Sequence, residues 1–263
     1  MLSDIEILKH LNCIGCNVKV CIVDECDSTN NIASDLLKTV QQQPFVVLAR
    51  KQTSGRGRLQ RSWFSDKMAS ICMSVAYDMA GVASDILASA TVRIGIEVCN
   101  ALNSITNERV FLKWPNDIYS KSGKKIAGML AELKQINGSY KIIFGIGIIY
   151  NLSISETPIP NDLLDSVDDI FSKLSSPKSK NEVSAIIINA VIKALSNNVL
   201  PDIEKFSEID WLKNKQVDVS IGNRNFVGVA CGINAVGNLL VRLPDDRIEV
   251  VNSGEATMHK QKA

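Results

Sequence analysis

Residues 52–65 read QTSGRGRLQRSWFS and concentrate glycine and positive charge in a short stretch. Glycine lets backbone N–H groups approach a ligand closely, and the planar guanidinium of arginine matches phosphate and carboxylate groups. A tryptophan nearby can stack on a flat ring or on a cation. The stretch contains Gly55, Arg56, Gly57, Arg58, Arg61 and Trp63. This composition favours an anion-binding loop, and a solvated basic loop is the plainer alternative.

A second group of polar residues lies about 50 residues further along the chain. Residues 109–114 alternate as a strand does, and a proline then ends that strand. Asn116 and Asp117 therefore lie at a strand end, where a rigid sheet holds side chains that stay accessible. Lys124 and Lys125 open the next strand after a Ser-Gly turn. An acid, an amide and an ammonium are thus expected at neighbouring strand ends, although an ordinary Asn-Asp turn gives the same pattern.

Taken together, these segments resemble the biotin protein ligases. The hallmark motifs of that family have the forms Gly-Arg-Gly-Arg-x-x-Arg-x-Trp, Lys-Trp-Pro-Asn-Asp and Lys-Ile/Leu-Ala-Gly. This chain carries them at 55–63, 113–117 and 125–128, with Asp-Ser-Thr-Asn at 27–30 and Gly-Ile-Gly-Ile-Ile-Tyr-Asn at 145–151. The motifs follow the family's order, and the resemblance continues more weakly to the C-terminus.

Composition describes an ordinary globular protein. The chain has 263 residues, 46% of them hydrophobic and 22% charged, and a net charge of +1. This charge favours neither nucleic acid nor an anionic membrane as a partner. No apolar run approaches the roughly 18–20 residues of a membrane span, and the N-terminus lacks the pattern of a signal peptide. We therefore expect a cytoplasmic protein.

Seven cysteines, an odd number, are scattered through apolar patterns. This usage favours reduced, buried thiols over a disulfide framework. Cys13 and Cys16 have the spacing of a zinc knuckle, but no second closely spaced Cys or His pair follows. We expect no metal site formed by the protein itself.

Hydrophobic periodicity predicts strands with helices packed on one side, an α+β architecture. The resemblance implies the mixed sheet of the biotin/lipoate ligase catalytic fold. Strands are predicted at 17–25, 45–51, 69–79, 109–114, 125–134 and 140–149, and helices at about 29–40, 82–102, 161–174, 180–199 and 202–213.

From residue 216 onward, four or five short strands separated by turn signals suggest a small barrel. The resemblance implies that this barrel is SH3-like. We therefore predict a catalytic domain at 1–214 and a C-terminal domain at 215–263. Some family members carry an N-terminal helix-turn-helix domain and act as repressors. Only about 16 residues precede the first predicted strand here, too few for such a domain, so no DNA partner is expected.

The resemblance implies a two-step reaction. The biotin carboxylate attacks the α-phosphate of ATP, which gives biotinyl-5'-AMP and pyrophosphate. A lysine amine of a biotin carboxyl carrier protein, the acetyl-CoA carboxylase subunit, then attacks the adenylate and releases AMP. Two anions meet in the first step, so fixed positive charge and Mg²⁺ on the ATP phosphates are expected. A homodimer is possible.

The family's motifs also imply roles for individual residues. Biotin would be bound by Ser28, Thr29, Asn30, Gln52, Arg56, Gly57, Arg58 and Lys125, although Ser28 and Thr29 can also serve as helix caps. The nucleotide would be bound by Arg58, Arg61, Trp63, Asn116, Asp117 and Asn151. The catalytic residues would be Lys125, Arg58 and Asp117. Lys125 would bridge the carboxylate and the α-phosphate, while its neighbour Lys124 is expected to be solvated.

Two positions depart from the family pattern. Ile149 stands where the family usually has an asparagine, and an apolar side chain cannot bind a phosphate or Mg²⁺. His259 lies near the C-terminus, where the family pattern usually ends in arginine. These departures leave open a catalytically weak biotin-binding or regulatory protein. A lipoate-type acyl ligase shares the fold class but lacks the arginine loop and the Lys-Trp-Pro-Asn-Asp turn.

Overall fold

The computed structural model describes residues 2–12, 17–40 and 43–259, and its larger part is a seven-stranded mixed sheet. The strand order is β1-β2-β3-β7-β6-β5-β4, with β1 and β2 parallel and the other neighbours antiparallel. The strands are β1 Lys19–Cys26, β2 Phe45–Gln52, β3 Ser70–Asp78, β4 Phe111–Lys113, β5 Asp117–Tyr119, β6 Lys125–Ile136 and β7 Ser139–Ile149. Cys13 and Cys16, the pair with zinc-knuckle spacing, lie outside the described residues.

The two faces of this sheet are covered by different helices. The helices are α1 Asp4–Lys9, α2 Thr29–Leu36, α3 Ser84–Ala88, α4 Ala90–Asn103, α5 Asn161–Leu164, α6 Lys180–Ser196 and α7 Ile203–Ile209. Along β2, Val46 and Leu48 join the main core formed with α4 and α6, whereas Phe45 and Val47 pack with Ala33 of α2. Successive side chains of a strand point to opposite faces, so α2 covers part of the second face. The predicted α+β class is confirmed. Helices were predicted on one side only, whereas α2 packs on the second face, which carries the pocket described below.

α2 and α7 each end four residues before their predicted ends, and two other predicted helices differ more from those observed. The helix predicted at 82–102 is divided at Ser89, whose hydroxyl donates to the carbonyl of Ile86. Serine can compete in this way with the helical backbone bonds. In the segment predicted as a helix at 161–174, only α5 is α-helical. Beyond α5, the Lys125 N–H donates to Ser166 O and its carbonyl accepts from Asp168 N, so sheet-like pairing replaces the helix.

A second, five-stranded antiparallel sheet forms the C-terminal part. Its order is β11-β10-β9-β8-β12, with β8 Gln216–Ile221, β9 Arg224–Ile233, β10 Leu239–Arg242, β11 Ile248–Val251 and β12 Glu255–Met258. The Trp114 indole joins the two parts, because its Nε1 donates to the carbonyl of Gly237 at 3.0 Å. The boundary at 214–215 stays a prediction. Within the described residues no helix is both long and apolar enough to cross a membrane.

Candidate active site

A cavity of about 240 Å³ opens on the sheet face that α2 partly covers. Most of the polar residues singled out from the sequence meet there, although they come from segments spread over more than 90 residues. The predicted residues that line it are Ser28, Thr29, Asn30, Gln52, Arg56, Gly57, Arg58, Arg61, Trp63, Asn116, Asp117 and Lys125. The start of α2, the loop after β2 and the β5–β6 strand ends therefore contribute to a single site.

One end of the cavity is a buried polar network at the start of α2. The backbone N–H of Thr29 donates to Gln52 Oε1 at 2.8 Å, and the Thr29 hydroxyl donates to the same oxygen at 3.1 Å. Beneath them, Ser74 Oγ lies 2.7 Å from Thr29 Oγ1 and 2.6 Å from Asn30 Oδ1. Asn30 Nδ2 is buried without a hydrogen-bond partner among the described residues. A buried donor of this kind is suited to a polar ligand group.

Glycines on β6 and β7 make room on the floor of the cavity. A Cβ at Gly145 would lie 2.3 Å from Asn30 Oδ1, and a Cβ at Gly147 would lie 2.3 Å from Cε2 of Trp63. A Cβ at Gly128 would also approach the Trp63 ring, at 3.1 Å. The indole therefore lies directly on the strand backbones, an approach that any larger residue would block.

Lys125 and Asp117 form an ion pair beside this floor. Lys125 Nζ lies 2.8 Å from Asp117 Oδ1, and both side chains are largely shielded from solvent. The ammonium also lies 5.4 Å from the centroid of the Trp63 ring, within the range of a cation–π contact. The pair places a fixed positive charge on the cavity wall, beside the Trp63 ring.

The arginine-rich loop folds as a tight hairpin over the cavity. The N–H of Gly57 donates to Arg61 O at 2.7 Å, and the N–H of Trp63 donates to Gly55 O at 2.8 Å. At the tip Leu59 has a φ of 54°, in the left-handed region that ordinary residues rarely adopt, and its side chain is 68% exposed. The hairpin turns its arginines toward the cavity and leaves its apolar tip in solvent.

Two arginines of the hairpin contact the C-terminal sheet. Arg58 donates to the carbonyl of Gly254 at 2.9 Å and to Asn116 Oδ1 at 3.3 Å. Arg61 pairs with Glu255 at 2.6 Å. Burial lowers the pKa of Arg58 from its ordinary value, while the carboxylates of Glu255 and Asp117 act in the opposite direction. The guanidinium groups of Arg58 and Arg61 therefore lie together beside the C-terminal part. The Arg56 guanidinium instead donates to Asn31 Oδ1 of α2 and lies 3.9 Å from Glu132.

Asn151, Lys124 and His259 do not line the cavity, whereas Ile149 does. Asn151 does not line the cavity; its Oδ1 accepts from the N–H of Ser153 at 3.0 Å and caps a short 3-10 turn. Lys124 does not line it either. Ile149 does line it, and its side chain is buried. His259 pairs with Asp218 at 2.8 Å on the C-terminal sheet.

The structure also brings residues to the site that sequence reasoning missed. Ser74 supports Thr29 and Asn30, and the signal for it was a serine in the middle of an apolar strand. Leu163 of α5 and Val167, in the segment after α5, also line the cavity, and no sequence signal marked them. Glu255 comes from almost 200 residues beyond Arg61, so only the folded chain could place it there.

Two family models match the chain. The biotin/lipoate A/B protein ligase family matches residues 23–148, and the biotin protein ligase C-terminal domain matches residues 214–258. These two regions correspond to the sheet that carries the cavity and to the C-terminal sheet.

Individual relatives agree with the family models. The chain is 32% identical over 216 residues to the biotin–[acetyl-CoA-carboxylase] ligase of Mycobacterium tuberculosis, covering 80% of this chain and 77% of that protein. It is 28% identical over 228 residues to the bifunctional ligase/repressor BirA of Escherichia coli, covering 84% of this chain and 68% of that protein. A solved biotin protein ligase of Aquifex aeolicus in complex with biotin and ATP superposes with a TM-score of 0.73 at 25% identity, covering 92% of this chain and 99% of that one. The motifs, the two-sheet fold and these relatives together show that the chain belongs to the biotin protein ligases of the biotin/lipoate A/B protein ligase family.

Proposed function

We propose that this protein attaches biotin to a lysine of a biotin carboxyl carrier protein, using ATP and passing through biotinyl-5'-AMP. The observation that carries this proposal is the position of the Lys125–Asp117 ion pair. One cavity holds this pair together with the polar network at α2 and the arginines of the hairpin. This combination of groups matches a substrate that has a polar ring system and a carboxylate.

In the first step, the polar network receives the ring system of biotin. Thr29, Asn30 and Gln52 offer donors and acceptors in fixed positions, and the unpaired Nδ2 of Asn30 supplies one donor. The biotin carboxylate then lies toward Lys125. Its oxygen forms a bond to the α-phosphorus while the bond to the pyrophosphate oxygen breaks. Lys125 reduces the repulsion between the two anions, and Asp117 holds its ammonium in place.

The arginines of the hairpin complete the site. Arg56 and Arg58 stabilise negative charge on the carboxylate and the α-phosphate, and Arg61 contributes to nucleotide binding. Asn116 already accepts a hydrogen bond from Arg58 and positions it. Trp63 offers the face of its indole to the adenylate. Asn151 remains a predicted nucleotide contact, although its side chain caps the turn that follows it.

In this proposal Mg²⁺ binds together with ATP, through the phosphates. No group of three or more His, Cys, Asp or Glu side chains that could hold a metal occurs among residues 2–12, 17–40 and 43–259. Mg²⁺ commonly uses only one or two protein carboxylates together with substrate phosphates and water. Asp117 fits that requirement, because it is a carboxylate on the cavity wall beside Lys125. When bound, the ion would neutralise charge on the phosphates.

In the second step, the lysine amine of the carrier protein attacks the carbonyl carbon of the adenylate. A C–N bond forms, the C–O bond to AMP breaks, and the amine loses its proton. No covalent intermediate with the enzyme is required. The Arg58 guanidinium retains the mixed anhydride until the carrier arrives. The cytoplasmic location, the absence of a DNA partner and the possible homodimer stay predictions.

The competing function is a biotin-binding protein with weak catalysis, which the buried Ile149 motivates. ATP–pyrophosphate exchange that depends on biotin separates the two functions, because only an adenylating enzyme supports it. Transfer of labelled biotin to an acetyl-CoA carboxylase carrier domain then tests the second step. A carrier domain with its target lysine changed to arginine is the matched control. Biotin binding without exchange would contradict the proposed function and favour the competing one.

A further inference from the structure

Two polar residues at the start of α2 have no part in the proposed function. Asp27 opens the Asp-Ser-Thr-Asn motif, and Asn31 follows that motif within α2. Neither residue lines the candidate active site. Both nevertheless belong to a chain of hydrogen bonds that ends at Arg56, and the Arg56 side chain of the arginine-rich hairpin does line that site.

This chain of hydrogen bonds runs from Asp27 through Asn31 to Arg56. Asn31 Nδ2 donates to Asp27 Oδ2, and Arg56 Nη2 donates to Asn31 Oδ1. The other carboxylate oxygen, Asp27 Oδ1, accepts from the N–H of Ser28 at 2.6 Å. An ionised carboxylate can only accept hydrogen bonds. Asp27 therefore holds the Asn31 amide with its nitrogen toward the carboxylate and its oxygen toward Arg56.

The same contacts keep Asp27 ionised. The hydrogen bond from the Asn31 amide, the hydrogen bond from the Ser28 N–H and the positive charge of Arg56 all lower the pKa of this carboxyl from its ordinary value. Desolvation acts in the opposite direction and does not reverse the shift. The acceptor at the far end of the chain is thus present at neutral pH.

The backbone brings the base of the hairpin to the same place. The N–H of Thr53 donates to Cys26 O at 2.8 Å, and the N–H of Ser54 donates to Asp27 O at 3.0 Å. These bonds fix where the Arg56 side chain begins. Its guanidinium lies at the end of a long side chain whose rotamer freedom is lost when a ligand binds. The bond to Asn31 restricts that freedom before the ligand arrives.

Asn31 also leaves the charge of Arg56 available. An amide oxygen is a neutral acceptor, whereas a carboxylate at this position would form an ion pair that competes with a carboxylate ligand. Glu132 lies 3.9 Å from Arg56 and also pairs with Lys134 at 3.6 Å. An ion pair that is long and partly exposed contributes little. The guanidinium is therefore held in place with most of its charge uncompensated.

We propose that Asn31 is a positioning residue for recognition of the biotin carboxylate, acting through Arg56, and that Asp27 holds Asn31 in its orientation. This inference rests on the proposed function, in which Arg56 stabilises charge on that carboxylate. Arranging the guanidinium in advance lowers the entropy cost of binding. Loss of the Asn31 amide should therefore weaken recognition of the carboxylate and leave recognition of the ring system intact.

Titration calorimetry of the full chain with biotin and with biotinamide, in which a neutral amide replaces the carboxylate, separates these two effects. Asn31→Ala should lower the affinity for biotin about five- to tenfold, the scale of one hydrogen bond to a charged group, and that for biotinamide less than about twofold. In a protein that already carries Arg56→Ala, Asn31→Ala should lower biotin affinity hardly at all. Asp35→Ala is the matched control, because Asp35 is exposed on α2, pairs with Lys38 and does not line the cavity.

Alanine is a better helix former than asparagine, so Asn31→Ala should fold, and thermal unfolding checks this. Asp27→Asn provides a second variant and should show the same selective loss for biotin, but a smaller one. Equal losses for biotin and biotinamide, an unchanged or higher biotin affinity in Asn31→Ala, or simple additivity with Arg56→Ala would overturn this inference alone. A wild type without biotin-dependent ATP–pyrophosphate exchange would overturn the proposed function and this inference with it.

Discussion

The Lys125 ammonium lies 2.8 Å from the Asp117 carboxylate, although the two residues are not register partners in the sheet. Asp117 pairs with Gly128, and Lys125 pairs with Tyr119, so the two side chains meet diagonally across β5 and β6. Such diagonal neighbours are within reach of a long side chain. The sheet therefore fixes the position of the ammonium more firmly than a loop would.

This position predicts that Lys125 carries the adenylation step. Lys125→Ala should lower the rate of biotin adenylation by about 100- to 1,000-fold, the effect of losing one preorganised charge in a catalytic site. Lys124→Ala is the matched control, because Lys124 does not line the cavity, and it should retain nearly full activity. The measurement is biotin-dependent ATP–pyrophosphate exchange. Equal losses in the two variants would remove Lys125 from its assigned role.

Because Trp63 contacts Gly147, we expect substitutions at these two residues to have non-additive effects on biotin affinity. Gly147→Ala should weaken biotin binding by about tenfold, because its Cβ would lie 2.3 Å from the indole and displace it. In a protein that already carries Trp63→Ala, Gly147→Ala should lower biotin affinity much less, since the clashing ring is then absent. Biotin affinities of the wild type, both single variants and the double variant can be measured by titration calorimetry. Simple additivity of the two effects would show that the indole does not rest on this strand in solution.

Ile149 predicts a change in nucleotide binding. If an asparagine at this position helps to bind the metal–triphosphate, Ile149→Asn should lower the apparent KM for ATP about 5- to 30-fold, which corresponds to about 1–2 kcal/mol, and leave biotin affinity unchanged. The side chain is buried, so the variant should also lower the thermal midpoint, which must be measured alongside. A wild type that makes no adenylate at any ATP concentration, with activity restored in the variant, would instead support the biotin-binding function.

The buried carboxyl of Asp210 should make the free energy of unfolding depend on pH. Burial raises the pKa of this carboxyl from 3.8 to about 6, against smaller opposing effects from the Leu212 N–H and nearby lysines. The native state therefore binds the proton more tightly than the unfolded chain does. The contribution of Asp210 to the free energy of unfolding should fall as pH rises from about 4 to above 6, by up to about 3 kcal/mol.

Asp210→Asn tests this expectation, because asparagine keeps an oxygen that can accept from the Leu212 N–H but does not titrate. Urea unfolding at several pH values between 4 and 7 should show the variant gaining stability relative to wild type as pH rises. Asp165→Asn changes an exposed aspartate and serves as the control. A stability difference that stays constant over this pH range would contradict the raised pKa.

Local sequence patterns were sufficient to predict most strands of the larger sheet. Alternation in the segments that became β2, β3 and β7 placed these strands to within a few residues. Sequence patterns gave wrong predictions where backbone pairing with a distant segment overrides the local preference for a helix. The residues after α5 were predicted as a helix, but their backbone pairs with Lys125, more than 40 residues away. The three-residue strand β5 was too short to show a period at all.

The amino-acid sequence by itself determined which chemical groups the site contains. Arg58, Lys125 and Asp117 were identified from their motifs because their functional groups match the charges of the expected reaction. Only the tertiary structure decided how these groups meet. It placed Trp63 on the backbone of Gly147 and brought Glu255 to Arg61, since such contacts depend on strand register and on packing between distant segments. It also left the Nε and Nη2 atoms of Arg93 without a hydrogen-bond partner among the described residues, because hydrogen bonding depends on the surroundings of a residue.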